Sequence, residues 1–121
     1  MNLRLLPFAL LAAPLSAGAA APPLSPELQT GLRCAALFSI VAGEQVRHGA
    51  GDWPVLATRG REFFVRISAR AMDAGALDRS ALQALLHAEV KGLQSPADRT
   101  ALKAPCLAML DANLPVAGAR P

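Results

Sequence analysis

Residues 25–49 read SPELQTGLRCAALFSIVAGEQVRHG, and the fold turns on them. Ser25 followed by Pro26 is a helix start: the serine hydroxyl can accept from an orphaned backbone N–H, and the first helical position needs no N–H of its own. Gly49-Ala50-Gly51 marks the end after His48. Projected at about 100° per residue, Leu28, Leu32, Ala35, Phe38, Val41, Ala42 and Val46 cover more than half of the circumference. A stripe that wide predicts a central helix touched by several neighbours.

Three more helices follow from punctuation. Asp52 predicts a cap, with Trp53 and Pro54 in the first turn of a helix that ends near Ala74, before Gly75. On it Trp53, Leu56, Gly60, Phe63, Phe64, Ile67 and Ala71 share one face, and Arg59, Glu62, Arg66, Arg70 and Asp73 the opposite one. Gly60 lies in the apolar stripe, where a missing side chain admits a neighbouring helix. Asp78 opens a third helix to about Gln94. Ser95-Pro96-Ala97-Asp98 resembles a capping box and opens a fourth, in which Pro105 predicts a kink or two short pieces before Leu114. No segment alternates as a strand does, and the connections are short. The expected fold is all-α: a bundle of about four helices over residues 21–114, followed by a flexible tail, 115–121.

Upstream, Asn2 and Arg4 lead into an apolar run from Leu5 to Leu15 and then small residues to Ala21. These are the parts of an export signal, spanning residues 1–20, with cleavage after Ala19 or Ala20. The run is shorter than the roughly 20 residues a membrane span requires, so no transmembrane anchor is expected once the signal is removed. Export to the periplasm, or full secretion, places the chain where thiols oxidise. Cys34 and Cys106, the only cysteines, are then expected to form one disulfide joining the first and last helices. No C-x-x-C spacing suggests redox or metal chemistry, and Gly31-Leu32-Arg33 before Cys34 is no lipid-attachment signal.

Charge and composition narrow the function. Without Arg4 the chain carries 11 basic and 9 acidic residues, too even a balance for nucleic-acid binding. With no tyrosine and few other aromatics, it lacks platforms for stacking sugars or bases. His48 and His87 stand apart from other ligand-type side chains, so neither metal nor cofactor is expected. No nucleophile elbow or phosphate-cradling glycine loop occurs.

Four features remain. Arg59, Arg66 and Arg70 form a stripe that would suit an acidic partner or a phospholipid head group. Glu62 and Asp73 lie at i,i+3 or i,i+4 from them, and such pairs, worth about 0.2–0.5 kcal/mol each, would leave a balanced, solvated face. Glu89 projects into the arc of Leu82, Leu85, Leu86, Val90 and Leu93, where a carboxylate must find an arginine (Arg33 or Arg61), protonate or reach solvent. Gln45 and Ser39 are polar residues at the apolar edge of the first helix. Leu37 and Ile40 project among Arg33, Glu44 and Arg47, either as a docking patch or beneath the last helix.

The stretches Arg33-Cys34-Ala35-Ala36-Leu37-Phe38, Arg59-Gly60-Arg61-Glu62-Phe63-Phe64 and Pro105-Cys106-Leu107-Ala108-Met109-Leu110-Asp111 resemble short exported helical proteins of Gram-negative bacteria with no assigned activity. The resemblance implies export and cysteine pairing, and it transfers no site. The expected function is a non-catalytic periplasmic helical module that binds another protein or an envelope component, as a monomer or a symmetric dimer. A carrier holding an apolar or acyl ligand among Phe38, Phe63, Phe64 and Met109 is the alternative. A small enzyme using Glu89 as acid or base is the third.

Overall fold

A computed structural model of the chain describes residues 24–75 and 77–115. The expected export signal, residues 1–20, and residues 116–121 of the expected tail lie outside them. Four helices account for the fold: α1 Pro26–His48, α2 Arg59–Gly75, α3 Arg79–Gly92 and α4 Pro96–Asn113. No strand occurs among the described residues.

α1 begins and ends as its sequence dictates. The Ser25 hydroxyl accepts from the Leu28 N–H at 3.2 Å, Pro26 is the first helical residue, and Gly49 ends the helix at φ +84°. Its wide apolar stripe makes it the hub, in contact with α2, α3 and α4. α3 and α4 lie against α1 and α2 but not against each other. The two therefore splay from their short link and leave a cleft between them.

α1 and α2 run antiparallel, in a register marked by two glycines. A Cβ on Gly31 would come within 3.1 Å of Ile67, and one on Gly60 within 3.5 Å of the Phe38 Cβ. Both glycines therefore allow a closer approach than any larger residue would. Between them Phe38 and Phe63 meet edge to face, ring centroids 5.3 Å apart, at the centre of a core that includes Leu32, Leu37 and Leu110. Cys34 and Cys106 are bonded to each other and fully buried, with Cα atoms 5.3 Å apart, and so fasten α1 to α4.

Three boundaries differ from the sequence reading. α2 starts at Arg59 rather than at Asp52, because residues 49–58 are captured as an irregular connection. α4 continues through Pro105 unbroken. Pro105 and Ala101, whose carbonyl loses its helical donor, are both exposed, so water can satisfy that carbonyl. Ser95 makes no side-chain cap; its carbonyl instead accepts from the Arg99 N–H at 3.2 Å.

Candidate functional site

The connection 49–58 is built around Gln45. Its amide nitrogen donates to the Pro54 carbonyl at 2.8 Å, and its amide oxygen accepts from the Leu56 N–H at 3.0 Å. From the other side Lys103 donates to the Asp52 carbonyl at 2.6 Å, and its ammonium stands 5.4 Å from the centre of the Trp53 ring. Gln45 is therefore a latch that seats Leu56 in the core. Gln45→Leu leaves the part-buried Leu56 N–H without its partner, while water can reach the exposed Pro54 carbonyl, and should cost about 1–3 kcal/mol. A urea midpoint unchanged from the parent protein would show that the connection holds without it.

The arginine stripe divides. Arg59 donates to the Asp111 carboxylate at 2.9 Å and to the Leu114 carbonyl at 2.6 Å. Arg70 donates to the Asn113 side-chain oxygen at 3.3 Å and lies 3.6 Å from Glu27. Both grip the C-terminal end of α4, where positive charge is favoured by the helix dipole. Arg66 is exposed and has no ion pair among the described residues. The pairs expected within α2 give way to pairs between helices.

Glu89 accepts from Arg33 at 3.0 Å and keeps 26% of its side-chain surface exposed, so it is a paired carboxylate at the surface. It borders the cleft between α3 and α4, about 360 Å³, with Arg33, Asp98 and Leu102. No histidine, serine or cysteine lines that cleft. Ser39 turns back on its own helix, its hydroxyl donating to the Ala36 carbonyl at 2.7 Å. Leu37 is completely buried and Ile40 half-buried, so the docking patch is instead a covered part of the core. Ion pairs from α1 to both neighbours, Arg33–Glu89 on α3 and Glu44–Arg99 on α4, flank it.

Phe38 and Phe63 fill the interior instead of lining a cavity there. Space opens instead at the surface between α1 and α2, as a groove of about 440 Å³. Its floor is Phe38 and Leu56, its walls carry Ala42, Gly43, Ala57 and Gly60, and Phe64 and Val46 stand at its edges. Val46 is 86% exposed, the most exposed large apolar side chain among the described residues. Arg61 is the only charged side chain lining the groove. Small residues on facing positions of two antiparallel helices are the signal that locates it, once the register is known.

Among the described residues no three His, Cys, Asp or Glu side chains converge as a metal site would need, and no helix is long and apolar enough to cross a membrane. The chain matches no protein-family model, no curated protein and no solved structure.

Proposed function

We propose that this chain is a non-catalytic binding module that works outside the cytoplasm and takes its ligand in the α1–α2 groove. The groove itself carries this reading: it is open, mostly apolar and flanked by well-packed helices, as small binding sites are. The buried disulfide and the signal-like start of the chain support an oxidising, exported setting. Arg59 and Arg70 hold the bundle together in this reading, which leaves Arg66 alone of the stripe for an acidic partner.

Gly43 allows a clean test. A Cβ there would meet nothing closer than the Arg47 guanidinium, at 3.7 Å. Gly43→Leu therefore fills the groove without disturbing the core, and removing a helix glycine adds about 0.8–1 kcal/mol of stability. Neutral N-phenyl-1-naphthylamine should bind the parent protein saturably at one site, and at least tenfold more weakly to Gly43→Leu, whose melting temperature should be no lower. Absence of saturable fluorescence, or equal binding to both proteins, would rule the groove out as a binding site.

A further inference from the structure

The groove's size, shape and charge narrow what it takes. Its volume falls within the range of about 300–1,000 Å³ typical of small-molecule sites. Ten residues line it, whereas a stable protein interface takes about 20–30 a side. The α1 wall from Phe38 to Val46 is about 12 Å long at 1.5 Å per residue, two turns of helix facing the first turn of α2 and the last residues of the 49–58 connection. A slot of this length suits a linear chain of medium length.

Charge is distributed along it. By the antiparallel register that sets Gly60 against Phe38, Arg61 falls at the Phe38 end of the groove. Val46, Leu56 and Ala57 make the other end, beside the 49–58 connection. Arg47 reaches back over Gly43 and adds a second positive charge beside the α1 wall. Neither Arg47 nor Arg61 has a carboxylate partner among the described residues, although Arg33, Arg59, Arg70 and Arg99 all do. No acidic side chain lines the groove. An apolar slot with unpaired guanidinium groups complements one kind of molecule: an apolar chain ending in an anion.

We infer that the α1–α2 groove binds a medium-chain fatty acid, with the carboxylate on Arg61 and the alkyl chain running over Phe38 and Leu56 toward Val46. This rests on the groove being the binding site, as proposed above. Arg61 supplies charge-assisted hydrogen bonds to the carboxylate, and each methylene that leaves water strengthens binding by up to about fourfold.

The experiment is displacement of N-phenyl-1-naphthylamine from the full mature chain by decanoate or by decanol, below their aggregation concentrations. Decanoate should displace at a concentration at least tenfold lower than decanol, and the advantage should shrink as salt is raised. Arg61→Gln, an exposed position outside the core, should erase the advantage, acid and alcohol displacing naphthylamine alike once its affinity for the variant has been re-measured. Equal displacement by acid and alcohol, or an advantage that survives Arg61→Gln, overturns the fatty-acid assignment and leaves the groove as a site for neutral apolar ligands. Stronger displacement by an acidic amphipathic peptide than by decanoate overturns it in favour of a protein partner. If the naphthylamine itself does not bind, the groove reading falls, and the fatty acid with it.

Discussion

Replacing Cys34 and Cys106 together by alanine should lower the stability of the domain by about 4 kcal/mol and its melting temperature by roughly 15–30 °C. The two cysteines are 72 residues apart, so the bond closes a loop containing all of α2 and α3. On the chain-entropy model a loop of that length restricts the unfolded ensemble by about 4 kcal/mol. Small domains are stable by only about 5–15 kcal/mol in total. Both sulfurs lie in the core, so alanine introduces no polar group there, which serine would. Thermal melts followed by circular dichroism measure the effect. A loss under about 1 kcal/mol would mean that the unfolded chain is already compact, and that packing alone holds α4 on α1.

Phe63→Ala should cost about 3–5 kcal/mol. Its ring is fully buried and meets Phe38 edge to face, so truncation removes apolar burial and an aromatic pair together. The cavity would open between the two glycines that bring α1 and α2 together, and the Gly60 backbone beside Phe38 has no side chain with which to fill it. The neighbouring residue provides the contrast. Phe64 is half-buried and lines the groove, so Phe64→Ala should cost less than about 2 kcal/mol and weaken naphthylamine binding. Urea midpoints of the two variants separate core from groove. Equal losses of stability would show that Phe64, too, acts chiefly as core.

Much of the fold was legible because its signals are local. Ser25-Pro26 and Gly49 bound α1, Asp78 caps α3 by accepting from the Ala81 N–H at 2.7 Å, and the width of α1's apolar stripe identifies the hub. The start of α2 was not legible. Asp52-Trp53-Pro54 is a sound local helix start, overridden by a glutamine side chain nine and eleven residues from the groups it binds. Pro105 misleads for a different reason: it removes a helical hydrogen bond, but on an exposed side of α4 water can take up the freed carbonyl and the helix runs on. The arginine stripe illustrates the same limit. Spacing along one helix predicts pairs within it, while the partners that Arg59 and Arg70 take up belong to the other end of the chain or its beginning. The groove lay outside any local pattern, since it exists only where two separate helices are brought side by side.

The position of the hub at the start of the chain has a consequence for biosynthesis. Translation delivers α1 first, with its broad apolar surface and an unpaired thiol, and Cys34 must wait for a partner 72 residues downstream. Until α2 and α4 emerge, the stickiest element of the protein has nothing to cover it, the condition under which nascent chains aggregate or recruit holdases. Assembly is thus completed from the far end: a chain terminated before α2 would release a naked α1, and one terminated between α3 and Cys106 an α1 still uncovered on its α4 side and with its thiol unpaired.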